Sequence, residues 1–215
     1  MSLRRALPAL ILLCAAAAAG PALVAGAAAP DAWATLDRVR HSLVAAGPTT
    51  ASFVQTYVPA GFTRGEKESG QLSLSLPDCL RWDYREPYPK SFLLCGEVAH
   101  YWNAEDAAGR RYTVDREQEP GLDLLLLGVE ELKTRYRASQ KRAEGGRIAV
   151  ELEPRQRVET VVDATLLVDP GTDRLVGLSY RDREGNATRF DLDGYAPLDA
   201  DGVFDPPRHV RFQEP

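Results

Sequence analysis

Side chains that commonly perform catalysis are sparse and widely spaced in this chain. The three histidines, His41, His100 and His209, lie on different predicted elements, and no His, Cys or Glu pair has the spacing of metal ligands on one helix face. The Gly-x-Ser-x-Gly motif, a glycine-rich phosphate loop and a dinucleotide-binding fingerprint are absent from the sequence. The sequence therefore predicts neither a metal centre nor a cofactor, and its formal net charge of −5 argues against a nucleic-acid partner.

Paired carboxylates are the remaining catalytic chemistry that the sequence could support. A glycoside hydrolase needs only two acids at a suitable separation, and Asp83, Asp163 and Asp191 are among the acids that a fold could bring together. Nearly all of these acids lie in predicted turns or at the polar positions of alternating strands, where contact with solvent explains them. We therefore favour a protein that is not an enzyme, with a carboxylate-pair hydrolase as the less favoured alternative.

Two of the three cysteines could form a disulfide bond. If residues 86–89 form the turn of a hairpin, Tyr84 pairs with Lys90, and this register places Cys79 opposite Cys95. The same register opposes two pairs of apolar residues: Trp82 with Phe92, and Leu80 with Leu94. In an oxidising compartment such a pair of cysteines is typically bridged. Two half-buried free thiols are the alternative.

The periodicity of the sequence predicts a mainly β protein. An amphipathic helix is expected at residues 31–46, where Leu36 and Leu43 share one face, a short apolar helix at 120–128, and further helix at 129–136. Closely spaced turns favour an antiparallel meander over strand–helix–strand units. Strands are predicted at residues 52–57, 71–76, 80–84, 147–152, 158–168, 175–181, 188–195 and 203–204, among about ten or eleven in all.

The N-terminal residues have the order of a secretory signal peptide. Two arginines within residues 1–5 precede an apolar run at 6–19, and small residues follow. This run of about 14 residues is short of the roughly 20 that span a bilayer as a helix. We predict cleavage after Ala27, so that residues 1–27 are the signal peptide and residues 28–215 form a single domain.

Short motifs along the chain occur in the order of one protein family. They are Phe53-Val54-Gln55, GQLSLSLP at 70–77, LRWDY at 80–84, PYP at 87–89, Gly96 followed by YWN at 101–103, LLLLG at 124–128 and FDPP at 204–207. With these motifs in this order and at this spacing, the chain resembles the LolA family of periplasmic outer-membrane lipoprotein carrier proteins over nearly the whole of the mature chain.

The resemblance implies an incomplete antiparallel β-barrel of about eleven strands, lidded by the N-terminal amphipathic helix and the short central apolar helix. Its apolar interior would bind the acyl chains of a lipoprotein without bond chemistry. The implied partners of this monomeric periplasmic carrier are the acylated cargo, an inner-membrane ATP-driven exporter and an outer-membrane receptor. The residues expected to contact acyl chains are Leu36, Leu43, Leu72, Leu74, Leu76, Leu80, Trp82, Phe92, Leu94, Leu124 and Leu125.

Two positions depart from the family pattern. Family members often carry Arg before the proline that Pro77 matches and Asp before the glycine that Gly96 matches, whereas this chain has Leu76 and Cys95. A more apolar mouth would retain cargo more tightly. Two alternatives share the architecture: a receptor anchored in the outer membrane, which would require lipidation of Cys14, and a carrier of other lipids.

Overall fold

The computed structural model describes residues 31–103, 107–114, 124–125, 128–156 and 161–214. Two α-helices, α1 (Ala32–Ala45) and α2 (Val129–Arg135), and a 3₁₀ turn at Glu144–Gly146 accompany the strands. The strands are β1 (Thr49–Val58), β2 (Glu66–Ser75), β3 (Cys79–Glu86), β4 (Lys90–Cys95), β5 (Val98–Asn103), β6 (Ala108–Thr113), β7 (Tyr136–Arg142), β8 (Ile148–Pro154), β9 (Val161–Asp169), β10 (Arg174–Asp182), β11 (Ala187–Pro197) and β12 (Arg211–Gln213).

All twelve strands belong to one open sheet in the order β12-β6-β5-β4-β3-β2-β1-β11-β10-β9-β8-β7. The pairs are antiparallel except for β12, which runs parallel to β6. The predicted mainly β class is confirmed, and an open sheet with helices packed on it is the expected incomplete barrel with its lids. We call the face that carries Phe53 and Trp82 the inner face, and the opposite one the outer face.

Helix α1 confirms the expected amphipathic helix. Its first turn is capped by the Asp31 carboxylate, which accepts a hydrogen bond from the backbone N–H of Trp33 at 3.0 Å. It ends before Gly47, whose φ of 69° lies in the left-handed region, and Pro48 follows. The buried side of the helix packs against α2 and the inner face of β7, β8 and β10; it consists of Ala32, Thr35, Leu36, Val39 and Leu43.

The β3–β4 hairpin has the register that the sequence predicts. Tyr84 pairs with Lys90 and Cys79 pairs with Cys95, with Trp82 opposite Phe92 and Leu80 opposite Leu94 between them. The two Sγ atoms are bonded, at 2.04 Å. The disulfide therefore joins two strands that already pair, at the end of the hairpin farthest from its turn.

Two predictions about strands at the edges of the sheet were wrong or incomplete. Residues 203–204 form a turn rather than a strand, because Phe204 packs onto an outer-face cluster of Leu93, Trp102 and Val210 instead of joining the sheet. The last strand is β12, seven residues later. Strand β7 was not predicted, since it is an edge strand with mostly polar residues, and the sheet has twelve strands rather than about eleven.

The central helical region is described only in part. Leu124 and Leu125 are helical, but the rest of the apolar helix expected at 120–128 lies outside the described residues apart from Gly128, which caps α2. Helix α2 confirms the helix expected after it, and ends one residue earlier because Tyr136 begins β7. The predicted signal peptide at residues 1–27 also lies outside the described residues.

Replacing both Cys79 and Cys95 with alanine is expected to lower the free energy of unfolding by about 3 kcal/mol, because the bridge closes a loop between residues 16 positions apart. Urea unfolding of the mature protein and the double variant measures the difference. Thiol titration of the unfolded mature protein should find two thiols only after reduction. Equal unfolding free energies, or two titratable thiols before reduction, would contradict the bridge.

Candidate functional site

The inner face of the sheet and the helices on it share one apolar cluster that includes all eleven residues proposed from the sequence. Eight of them are at most 8% exposed: Leu36, Leu43, Leu72, Leu74, Leu80, Trp82, Leu94 and Leu124. The other three are partly buried and pack against the cluster: Leu76, Phe92 and Leu125. The structure therefore brings these residues together, while their contact with acyl chains stays a prediction.

Four aromatic rings lie at the centre of the inner face. The ring of Phe53 meets Trp82 edge to face at 4.8 Å between centroids, and Tyr84 in the same way at 5.0 Å. Trp82 also stacks on Phe190 of β11 at 4.9 Å. Because these rings come from β1, β3 and β11, they link the middle strands of the sheet through one aromatic cluster.

The helices pack tightly onto one side of this face. A cavity of about 40 Å³ remains where α1, α2 and Leu124–Leu125 meet Leu76 and the sheet. This is close to the space of one water molecule, whereas pockets for drug-sized ligands measure about 300 to 1,000 Å³. A long apolar ligand can therefore enter this cavity only if a helix moves away from the sheet.

Six residues that line this cavity were not identified in the sequence as site residues: Val39, Arg40, Val129, Leu132, Leu166 and Leu175. The apolar ones continue the helical or strand periodicity of the residues that were identified, and periodicity could have found them. Arg40 had no such signal. Its Nη1 donates a hydrogen bond to the carbonyl oxygen of Leu125 at 3.4 Å, so it joins α1 to the neighbouring helical segment.

One end of the inner face is polar. We call Gln55, Glu68, Tyr84 and Lys90 the polar belt. The Tyr84 hydroxyl donates to Oε1 of Gln55 at 2.7 Å, and Lys90 Nζ lies 2.6 Å from Oε1 of Glu68 and 4.6 Å from the centre of the Tyr84 ring. Burial, and then the charge of Glu68, raises the pKa of Tyr84, which therefore stays protonated at neutral pH. The sequence signal that was missed is the change from apolar to polar residues at the inner-facing positions.

The acids considered as a catalytic pair lie elsewhere. Asp83, Asp163 and Asp191 each form an ion pair with an arginine of the same strand or the next one, respectively Arg81, Arg181 and Arg189. In the described part of the chain, no group of three or more His, Cys, Asp or Glu residues is arranged to hold a metal ion. Among the same residues, no helix has the length and apolar character of a membrane span.

Comparisons with known proteins agree with this arrangement. A family model described as outer membrane lipoprotein carrier protein LolA matches residues 46–204. A relative from Chromobacterium violaceum, an outer-membrane lipoprotein carrier protein, is 24% identical over 169 residues, which are 79% of this chain and 80% of the relative.

Two solved structures are similar to this chain at low sequence identity. An uncharacterized conserved protein from Thermus thermophilus superposes with a TM-score of 0.55 at 12% identity, over 86% of this chain and 99% of that chain. A LolA superfamily protein from Nitrosomonas europaea has a TM-score of 0.46 at 10% identity, over 83% of this chain and 99% of that chain. The first of these similarities shows a shared fold.

Phe53→Ala is expected to lower the free energy of unfolding by about 3 to 5 kcal/mol, because it removes a ring that is 2% exposed at the centre of the aromatic cluster. The neighbouring substitution Val54→Ala is the matched control, since Val54 lies on the outer face and is 41% exposed. Its effect should stay within about 0.5 kcal/mol. Urea unfolding of both variants measures the difference, and similar losses would contradict the assignment of the two faces.

Proposed function

Because the chain belongs to the family of the outer membrane lipoprotein carrier protein LolA, we propose that it is a carrier that binds the acyl chains of lipoproteins and ferries them from the inner to the outer membrane. The observation that carries this proposal is the inner face of the sheet, an apolar surface that spans most of its strands and is covered in part by helices. A helix can leave such a surface without breaking the backbone hydrogen bonds of any strand.

The energetics favour an exchange of helix for acyl chain. Burial of one methylene group is worth about 0.8 kcal/mol, so a lipoprotein with exposed chains aggregates in water. In the described arrangement the helices cover one side of the carrier's own apolar face. We propose that binding moves α1 and the segment at Leu124–Leu125 away from the sheet, and that the Arg40 hydrogen bond to Leu125 holds the two segments together as they move.

The proposal includes a place and partners. After removal of residues 1–27, the remaining 28–215 would act as a single, monomeric carrier domain in the periplasm. It would accept cargo from an inner-membrane ATP-driven exporter and pass it to an outer-membrane receptor, with no cofactor and no catalysis. If the mature chain instead began at an acylated Cys14, as mass spectrometry would show, the protein would be an anchored receptor of the same architecture.

Purified mature protein, mixed with a triacylated lipoprotein in detergent, is expected to form a soluble one-to-one complex when the detergent is removed. Size exclusion and native mass spectrometry detect the complex, and deacylation of the cargo should abolish it. Precipitation of the lipoprotein, as in the absence of the carrier, would contradict the proposal. Free lipids would then be tested as ligands.

Two neighbouring substitutions on α1 provide a matched test of the site. Leu43→Gln places an amide on the buried face of α1 and so weakens the packing of the helix on the sheet. Because binding is proposed to displace this helix, capture of the lipoprotein should strengthen by about tenfold or more, since a buried leucine contributes about 1.5 to 3 kcal/mol. Val44→Gln alters a residue that is 45% exposed and should leave capture unchanged. Thermal unfolding establishes that both variants are folded. Equal capture by the two variants would place the cargo elsewhere.

Leu76→Arg is expected to speed the release of bound cargo by about tenfold, because it removes apolar surface beside Leu124 and Leu125, where the acyl chains are proposed to bind, and adds a charge that prefers water. Transfer of a labelled lipoprotein to a receptor or to detergent micelles measures the rate. Leu76→Met retains the apolar surface and is the control. Unchanged or slower release from the arginine variant would show that Leu76 does not set the rate.

A further inference from the structure

The inner face of β2, β3 and β4 changes in polarity along the strands. Hydrogen-bonded register aligns its residues in three layers: Leu74, Leu80 and Leu94; then Leu72, Trp82 and Phe92; then Gly70, Tyr84 and Lys90. The layers are aliphatic, mainly aromatic and polar in that order. On β1 the same change occurs one layer later: Ala51 pairs with Leu72 and Phe53 with Gly70, and Gln55 then pairs with Glu68 beyond the third layer. The interior is therefore amphipathic along the strand direction.

The polar belt borders the aromatic layer directly. Residues two positions apart on one strand have backbones about 7 Å apart. The layer of Tyr84 and Lys90 is therefore in direct contact range of Trp82 and Phe92. The ion pair within the belt is largely covered, with side-chain exposures of 29% for Lys90 and 19% for Glu68. Charges in such a position are costly unless they are paired or hydrogen-bonded.

The belt also presents hydrogen-bond donors in defined orientations. Lys90 has three N–H groups, so it can donate to Glu68 and to a ligand oxygen at the same time. Tyr84 donates to Oε1 of Gln55, and this fixes the amide of Gln55 with its N–H₂ group on the side away from that hydroxyl. An apolar chain lying on the aromatic layer would meet these donors at its polar end.

We propose that the polar belt binds the ester or amide carbonyl oxygens that join acyl chains to their headgroup, and so orients the chains with their methyl ends toward the aliphatic layer. Lys90 and Gln55 donate to the carbonyls, while Glu68 and Tyr84 act as positioning residues. This inference rests on the proposed carrier function and adds to it a chemical class of ligand group and a direction of binding.

A pair of ligands that differ only in these carbonyls tests the inference. One is a synthetic peptide with an N-terminal dipalmitoylglyceryl-cysteine; the other is its dihexadecyl ether analogue. Calorimetry or fluorescence titration of the mature protein should find that the ester form binds about tenfold more tightly. Lys90→Met and the uncharged change Gln55→Met should each reduce this preference to about twofold or less, with binding of the ether form unchanged.

Lys67→Met is the matched control for the loss of charge. Lys67 lies on the same strand as Glu68, but its backbone position faces outward and it is exposed, so this variant should keep the full ester preference. Thermal unfolding shows whether each variant is folded. Because Gln55→Met leaves the ion pair intact, it tests the belt even if Lys90→Met does not fold.

The outcomes separate this inference from the proposed function. Equal binding of ester and ether forms by the unaltered protein, or equal weakening of both forms in the two belt variants, would overturn the inference and leave the carrier function standing. Binding of neither form would contradict the carrier function itself. A second ester and ether pair, of phosphatidylethanolamines, identifies whether the bound carbonyl groups belong to lipoproteins or also to free lipids. A preference for the ester in both pairs supports carbonyl binding for free lipids as well. A preference for the ester in the peptide pair alone supports carbonyl binding for lipoproteins.

Discussion

The structure depends on one constraint, which is that an open twelve-stranded sheet carries most of its apolar residues on one face. A closed barrel would cover that face with its own strands. Here β7 and β12 form the two edges, and helices supply part of the cover. The core of the protein and its candidate binding surface are therefore the same surface.

Because the core and the candidate binding surface are the same surface, the covering helices must bind it weakly enough to be displaced. The main buried apolar contribution of α1 comes from Leu36, Val39 and Leu43, worth about 5 to 9 kcal/mol in total. One sixteen-carbon chain would contribute about 12 kcal/mol if fully buried. In the proposed carrier, a single acyl chain is thus sufficient to replace the helix.

The outer face of the sheet is stabilised by salt bridges and by the C-terminal segment. Salt bridges such as Arg181–Asp163 lie on it toward the β7 edge of the sheet, and the C-terminal segment covers Leu93 and Trp102 toward the other edge. Arg81 reaches this segment through a hydrogen bond from Nη1 to the carbonyl of Val203 at 2.9 Å. This face is thereby stabilised without helices.

The alternation of residue types was enough to predict the inner-facing residues and the β3–β4 register, because both depend on neighbours in sequence and on the period of two in a strand. Helix α1 was predictable for the same local reason, from its capping residue and its apolar spacing. All eleven proposed site residues came from such local signals or from the resemblance that they carry.

Only the tertiary structure decided which distant residues meet. Three contacts join segments that are far apart in the chain: β12 pairs in parallel with β6, Phe204 packs on the outer face, and Arg40 contacts Leu125. The local periodicity of the sequence cannot predict such contacts. The polar belt became visible only when register aligned Tyr84 with Lys90 and Gln55 with Glu68 on one face. The size of the remaining cavity depends on how closely helices and sheet pack, which is a property of the whole fold.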